Sequence, residues 1–130
     1  MTVEDHLRVV VADNDADALD LLDLDLALEG HEVVGRSADG SGAVELCRTL
    51  HPDVLVVDFR MPPGPDGLAV LRALSDQPQL RKIVYTNYRD PDLQRRVERL
   101  GAAYLVKGDL RRLRAAVTGR LGEHDDPAGA

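Results

Sequence analysis

The chain has 130 residues, which is the size of one domain and too few for two. Its formal net charge of −7 argues against direct binding to nucleic acid. A single cysteine excludes an internal disulfide and is typical of a reducing compartment, and no apolar run approaches the roughly 20 residues of a membrane span. We therefore expect a cytoplasmic protein without a membrane segment.

Five short segments rich in valine and leucine predict strands, and each is followed by a segment with helical spacing of its apolar residues. The strands are predicted over 7–12, 32–37, 54–57, 81–86 and 103–106. The helices are predicted over about 16–29, over about 42–50, from Asp66 to near Pro78, from Asp90 to Gly101, and over about 109–121. Residues 1–121 are then the folded domain, and residues 122–130 are predicted to be a disordered tail.

This alternation predicts an α/β fold, a parallel sheet with helices on both faces. Five units fit the flavodoxin-like (βα)5 doubly wound sheet with strand order 2-1-3-4-5. The run Val54–Val57 is apolar at four successive positions, which is typical of a central strand buried on both faces. Ligands of such sheets bind beyond the carboxyl ends of the strands, so the residues that follow the strands are the candidates for function.

Polar residues stand at four of these strand ends. Asp13 and Asn14 follow the first strand, Asp58 follows the third, Thr86 ends the fourth and Lys107 follows the fifth. Carboxylate and amide oxygens are the ligands that Mg²⁺ prefers, and a lysine with a hydroxyl group can hold phosphoryl oxygens. The set favours phosphoryl transfer onto a carboxylate. Taken alone, Asp58 fits a helix cap or a turn equally well.

These residues, together with Met61-Pro62, Asp66-Gly67 and Tyr104-Leu105-Val106, resemble the response-regulator receiver domain of the CheY-like family over about residues 6–121. The resemblance implies that Asp58 accepts phosphate from the phosphohistidine of a histidine kinase or a phosphotransfer protein. It also implies three sets of site residues. Mg²⁺ would be held by Asp13, Asn14, Asp58 and the backbone carbonyl of Arg60; the phosphoryl group by Lys107, Thr86 and Asn87; and the switch pair would be Thr86 and Tyr104.

Three departures from the family pattern bear on the site. Asn14 stands where the family usually has a second acid, so one negative charge is missing from the metal site. The loop from Asp58 to Asp66 is one residue longer than usual. Asn87 is bulkier than the small residue usual at its position, and we expect it to narrow the access to Asp58.

The resemblance further implies that phosphorylation reshapes the surface formed by the fourth helix, the fifth strand and the fifth helix. Residues 1–66 carry 15 acids and 4 bases, whereas residues 67–130 carry 8 acids and 12 bases, so this surface is predicted to be basic. It would bind an acidic partner or a second copy of the chain, or be merely solvated. Its predicted residues are Arg95, Arg96, Arg99, Arg111, Arg112 and Arg114. With 130 residues and no effector domain, we expect a stand-alone receiver that acts by docking and is not an enzyme.

Two other interpretations remain open. Asn14 supports a pseudo-receiver, which has the same fold and docks proteins without being phosphorylated. The segment Asp13-Asn14-Asp15 also fits the DxD nucleophile motif of a haloacid-dehalogenase-like phosphohydrolase, although Ala16-Asp17 follows here in place of that family's Gly and Thr residues. Turnover of a phosphate monoester with Mg²⁺ would indicate the enzyme, and stoichiometric labelling would indicate the receiver.

Overall fold

The computed structural model describes residues 6–121, which form five strands that alternate with five helices. The strands are β1 (Arg8–Ala12), β2 (Glu32–Ser37), β3 (Val54–Val57), β4 (Arg81–Thr86) and β5 (Ala103–Val106). The helices are α1 (Ala16–Leu28), α2 (Gly40–Leu50), α3 (Gly67–Ala73), α4 (Pro91–Arg99) and α5 (Leu110–Val117). The tail predicted over 122–130 lies outside these residues.

The sheet is parallel throughout and its order is β2-β1-β3-β4-β5, which confirms the predicted fold and strand order. All four residues of Val54–Val57 in β3 are buried, as expected for a strand that is covered on both faces. Helices α1 and α5 pack on one face of the sheet, and α2, α3 and α4 pack on the other. Between residues 6 and 121, no helix has the length and apolar character needed to cross a membrane.

An aspartate precedes each of the five helices and caps it. Its side chain accepts a hydrogen bond from a backbone N–H group of the first turn, which would otherwise lack a partner. The capping residues are Asp15, Asp39, Asp66, Asp90 and Asp109. Part of the acidic character of the chain therefore serves helix initiation, and the predicted starts of the third and fourth helices at Asp66 and Asp90 are confirmed.

Two helices end earlier than the sequence predicts. Helix α3 stops at Ala73, and the chain then passes through turns before β4, with Gln77 N–H donating to the carbonyl of Leu74 at 3.0 Å. Helix α5 stops at Val117, close to Gly119, whose φ of 75° is left-handed and cannot continue a helix. Apolar spacing continues beyond both ends, so periodicity alone overestimates their length.

Helix α1 carries leucines on its outer as well as its inner face. The buried ones are Leu19, Leu22 and Leu26, and the exposed ones are Leu21 (53% exposed), Leu24 (59%) and Leu28 (75%). Because leucine occupies both faces, the sequence predicts this helix without separating its buried face from its solvent face.

Cys47 lies on the buried face of α2, as the sequence predicts, and its exposed fraction is 0%. Burial raises the pKa of the thiol from 9.0 to about 11. Between these values the folded protein keeps a proton that the unfolded chain loses, so stability falls as pH rises above 9. The loss should reach roughly 2–3 kcal/mol by pH 11.

Urea unfolding between pH 8 and pH 11 tests this prediction. The Cys47→Ala variant should start from a lower stability because of its cavity, but should lose less of it as the pH rises. Parallel pH profiles for the two proteins would contradict the assignment of this proton to Cys47.

Candidate functional site

The register of the sheet brings two carboxylates together. Ala12 of β1 pairs with Val57 of β3, so Asp13 and Asp58 follow side by side, and the N–H group of Asp58 donates to the carbonyl of Ala12 at 3.0 Å. The side chains of Asp13 and Asp58 are only 2% and 11% exposed. Two carboxylates this close and this buried repel each other unless a cation lies between them.

Lys107 supplies that cation from the end of β5. Thr86 pairs with Val106 in the ladder between β4 and β5, which brings Lys107 to the same edge. Its Nζ donates to Oδ2 of Asp13 at 2.6 Å and to Oδ2 of Asp58 at 3.2 Å. Burial alone would lower the pKa of Lys107, but the hydrogen bond to Asp13 and the charge of Asp58 raise it above its ordinary value. Lys107 is therefore a fixed positive charge between the two acids.

Burial of the Asp13 side chain disfavours the charged form of its carboxyl group. Burial raises the pKa of Asp13, opposed by the hydrogen bonds from Lys107 and from the N–H group of Asp15, while the charge of Asp58 adds to the rise. Between the ordinary and the raised pKa the folded protein binds more protons than the unfolded chain, so stability falls as pH rises through that interval.

We therefore expect Asp13→Asn, which mimics the neutral acid, to be more stable than the natural protein at pH 7. The measurement is the urea midpoint from pH 3 to pH 7, and the gain should shrink toward acid. Asp76→Asn, an exposed position on the turn after α3, is the control. A lower midpoint for Asp13→Asn at pH 7 would show that the Lys107 ion pair outweighs the cost of burial.

The donor set fits a magnesium ion. Mg²⁺ is bound in proteins through one or two carboxylates with waters completing its shell, and Asp13 and Asp58 supply two at one edge. Asn14 is exposed, and Asp15 caps α1 by accepting the N–H of Asp17 at 3.0 Å. Within the described part of the chain, no three His, Cys, Asp or Glu side chains form a metal-binding group. Asp13 and Asp58 are therefore the two carboxylates at this edge that could hold such an ion.

Both members of the predicted switch pair contact Tyr88. Thr86 is buried, and its Oγ1 accepts a hydrogen bond from the N–H group of Tyr88 at 3.2 Å. Tyr104 is buried too, and its hydroxyl donates to the carbonyl oxygen of Tyr88. Asn87, between Thr86 and Tyr88, is exposed. One residue thus connects the two switch positions through its backbone.

Tyr88 also contacts the loop that begins at the phosphoacceptor candidate, a contact that was not predicted from the sequence. Its ring centre lies 5.3 Å from that of Phe59, and Cζ of Arg60 lies 4.4 Å from it. The signal was available: the chain has one Phe and three Tyr, and Phe59 and Tyr88 stand one and two residues beyond strand-end candidates. Because aromatic residues are so scarce in this chain, one that stands beside a polar strand end is a candidate for a role in the site.

The longer loop after Asp58 is anchored where it joins α3. The N–H group of Gly67 donates to the carbonyl of Phe59 at 2.7 Å. A Cβ atom at Gly67 would lie 2.7 Å from the carbonyl oxygen of Asp58, so only glycine fits there. Residues 59–64 and Asp66 line a surface cavity of about 370 Å³ beside this anchor. A Cβ atom added at Gly64, in the middle of the loop, would have open space around it for 4 Å.

The arginines of the predicted basic surface do not all point the same way. Arg95 and Arg96 of α4 lie 3.6 Å and 3.1 Å from the carboxylate oxygens of Asp92. Arg114 contacts α1, where its Nη2 lies 2.5 Å from Oδ1 of Asp25. The remaining three are Arg99 and Arg111, which are exposed, and Arg112, which is half-buried. Arg114 therefore belongs to the contact between α1 and α5.

Comparisons with known proteins agree with this geometry. The family model described as the response regulator receiver domain matches residues 9–118. The protein-glutamate methylesterase/protein-glutamine glutaminase 5 of Myxococcus xanthus is 41% identical over 109 residues, which are 82% of this chain and 31% of that protein. The transcriptional regulatory protein PdtaR of Mycobacterium tuberculosis is 36% identical over 105 residues, 77% of this chain and 49% of that protein. The chain thus spans about a third to a half of these relatives.

Solved structures give the same result. The signal receiver domain of NarL from Mycobacterium tuberculosis superposes with a TM-score of 0.77 at 30% identity, covering 88% of this chain and 92% of that one. The CheX–CheY–BeF3–Mg²⁺ complex from Borrelia burgdorferi contains a chain that superposes with a TM-score of 0.80 at 22% identity, covering 86% of this chain and 87% of that one. At that identity the second match supports the fold alone.

Proposed function

The chain belongs to the response regulator receiver domain family of two-component signalling, and from this premise we propose that Asp58 is its phosphoacceptor and that a histidine kinase or a phosphotransfer protein is its donor. The observation that carries the proposal is Lys107, whose ammonium contacts both Asp13 and Asp58. A nucleophilic carboxylate, a fixed cation and a second carboxylate are what phosphoryl transfer onto an acid requires. Their joint presence does not favour the phosphorylation-independent pseudo-receiver.

The chain orients the nucleophile before any donor arrives. Oδ1 of Asp58 accepts the N–H of Phe59 at 2.7 Å, so Oδ2 faces Lys107. In the transfer, a carboxylate oxygen of Asp58 attacks phosphorus, an O–P bond forms, and the P–N bond of the donor phosphohistidine breaks. Lys107 neutralises the phosphoryl oxygens, and the Thr86 hydroxyl retains a proton that it can donate to one of them.

Mg²⁺ would be held by Asp13 and Asp58, with Asn14 and the Arg60 carbonyl as the further oxygens that the family resemblance implies. When bound, it neutralises charge on the transferred group. Receiver domains bind Mg²⁺ in general, and we propose that this chain does so weakly because Asn14 removes one ligand charge.

Asn14→Asp should tighten Mg²⁺ binding by up to about tenfold, because affinity for hard cations follows ligand charge. Calorimetric titration of both proteins with MgCl₂ at constant ionic strength measures this. Gln79→Glu adds the same charge at an exposed position just before β4, at the opposite end of the strand from the site, and should leave the affinity unchanged. An unchanged affinity in Asn14→Asp would mean that residue 14 does not act on the metal.

Incubation with a small phosphodonor and Mg²⁺, followed by mass spectrometry, tests the proposed function. One phosphoryl group per chain, labile in base and located on Asp58, is the expected result. A phosphate on another residue would overturn the assignment. Repeated turnover of a phosphate monoester would instead favour the dehalogenase-like phosphohydrolase. The family match gives that alternative no support, and we propose that this domain is not an enzyme.

We further propose that phosphorylation signals through the surface of α4, β5 and α5. Thr86 and Tyr104 both bind Tyr88, so a displacement of Thr86 is transmitted toward α4. The surface would meet an acidic partner or a second copy, and association driven by charge weakens as salt rises. Sedimentation of phosphorylated and unphosphorylated protein at low and high salt distinguishes this from a merely solvated surface. A cytoplasmic location and the lack of binding to nucleic acid or membrane stay predictions.

A further inference from the structure

The outer face of α1 carries a line of apolar side chains. Of the large apolar side chains exposed between residues 6 and 121, the three most exposed are Leu21, Leu24 and Leu28. Their spacing of three and then four residues puts them side by side on the helix surface, and we call them the leucine stripe. A separate set of leucines packs α1 against the sheet, so the stripe is not needed to attach the helix. Exposed apolar surface of this kind marks a contact with another molecule.

The stripe borders a small cavity between α1 and α5, which we call the α1 hollow. Its walls include Ala18 and Leu21 of α1, Leu110 of α5 and Tyr85 of β4. The hollow has a volume of about 170 Å³, below the roughly 300–1,000 Å³ of a typical small-molecule site, so it suits a single apolar side chain. At the other end of the stripe, Leu28 is 75% exposed and protrudes from the helix. A protrusion and a hollow therefore lie on the same helix, about 10 Å apart along its axis.

This arrangement is complementary to a copy of itself. A two-fold axis perpendicular to α1 near Leu24 would pair two copies of the helix in antiparallel directions. Leu28 of each copy would then lie against Leu21 and the hollow of the other copy, and Leu24 would face its own equivalent. Two-fold dimers use the same surface on both subunits, and apolar residues spaced by three and four positions interlock between paired helices.

The charges beside the stripe permit such a contact. On one side, Arg36 lies 2.8 Å from Oδ1 of Asp20 and 3.2 Å from Oδ2 of Asp23. On the other side, Arg114 lies 2.5 Å from Oδ1 of Asp25. Antiparallel helices related by a two-fold axis bring equivalent sides together, and each side here carries both signs. An arginine of one copy can therefore meet an acid of the other, whereas flanks of a single sign would repel.

We propose that the leucine stripe and the α1 hollow form a two-fold interface between two copies of this chain. The interface is separate from the surface of α4, β5 and α5, and its formation does not require phosphate on Asp58. A single pair of helices makes a small interface, so the dimer is expected to be weak, with a Kd of about 10–100 μM.

Sedimentation of the unphosphorylated protein over a concentration series tests the interface. Leu24→Glu should raise the Kd at least about tenfold, because the substitution occurs twice in each dimer and removes apolar contact at its centre. Leu24 is exposed in the single chain, so the variant should fold normally. Gln79→Glu adds the same charge at an exposed position before β4 and should leave the Kd unchanged.

Ala18→Leu distinguishes a fitted interface from a merely adhesive one. The added side chain occupies the hollow, so Leu28 of the other copy loses its place and the dimer should weaken, although the apolar surface has grown. Tighter association of Ala18→Leu would overturn the proposed packing. So would a natural protein that stays monomeric throughout the series, which would leave the stripe to a different protein, or a Kd that Leu24→Glu does not change.

Disulfide cross-linking tests the orientation of the two helices. The natural chain has one cysteine, which is buried, so an introduced surface cysteine is the reactive one. With diamide as the oxidant, Leu24→Cys should form a cross-linked dimer, and a mixture of Leu21→Cys with Leu28→Cys should cross-link more than either variant alone. Gln79→Cys is the control. Leu24→Cys that cross-links no more than this control would overturn the antiparallel pairing, and it would leave the phosphorylation of Asp58 untouched.

Discussion

Asp58→Asn is expected to abolish phosphate uptake. The amide has nearly the shape of the carboxylate and can still accept the N–H of Phe59, but it lacks the charge and the nucleophilicity that attack on phosphorus requires. The measurement is the fraction of protein that gains one phosphoryl group from a small donor with Mg²⁺. We expect none above background in the variant.

The matched control is Asp76→Asn, which makes the same chemical change at an exposed carboxylate that pairs with Arg48 at the surface. It should be phosphorylated like the natural protein. Labelling of Asp58→Asn to the same extent as this control would mean that another residue accepts the phosphate, and the arrangement of Asp13, Asp58 and Lys107 would need a different explanation.

Arg114→Met should lower the free energy of unfolding more than any other single arginine substitution proposed for this chain. Asp25 of α1 is buried, its side chain only 5% exposed, and Arg114 of α5 contacts it through Nη2 and Nε. Removing the arginine leaves a buried carboxylate without its cation, which costs about 3–5 kcal/mol when both partners are buried. The Arg114 side chain is 42% exposed, so we expect a smaller loss.

Urea unfolding at pH 7 measures the change, with Arg99→Met as a control at an exposed arginine of α4 that should change stability by less than about 0.5 kcal/mol. The double variant Asp25→Leu/Arg114→Met removes both charges and should regain most of the loss. If Arg114→Met and Arg99→Met unfold at the same urea concentration, the contact between α1 and α5 does not depend on this ion pair.

Chain order and strand ends were enough to predict the main site. In a parallel sheet every strand finishes at the same edge, so Asp13, Asp58, Thr86 and Lys107 had to share it once the five strands were recognised. The central position of Val54–Val57 followed from four apolar residues in succession. These inferences depend on backbone topology, which short-range patterns determine well.

Contacts between side chains of distant elements could not be predicted in this way. Asp25 lies 89 positions from Arg114, and nothing in either helix indicates that the two meet, so Arg114 was expected on the surface of α4, β5 and α5. Tyr88 stands in a loop, where no periodicity gives its direction. The exposed leucines of α1 were missed because their spacing does not differ from that of the buried ones.

Gly67 limits where the loop after Asp58 can change in length without displacing Asp58. Because Gly67 packs closely against the backbone of Asp58 and its N–H group donates to the carbonyl of Phe59, the start of α3 is held against the proposed phosphoacceptor. The extra residue of the loop has to be accommodated between these two fixed points, and Gly64, with open space around it, is where the chain has room. Insertions centred on Gly64 would lengthen the rim of the site while leaving the nucleophile in place. Insertions next to Gly67 would displace it.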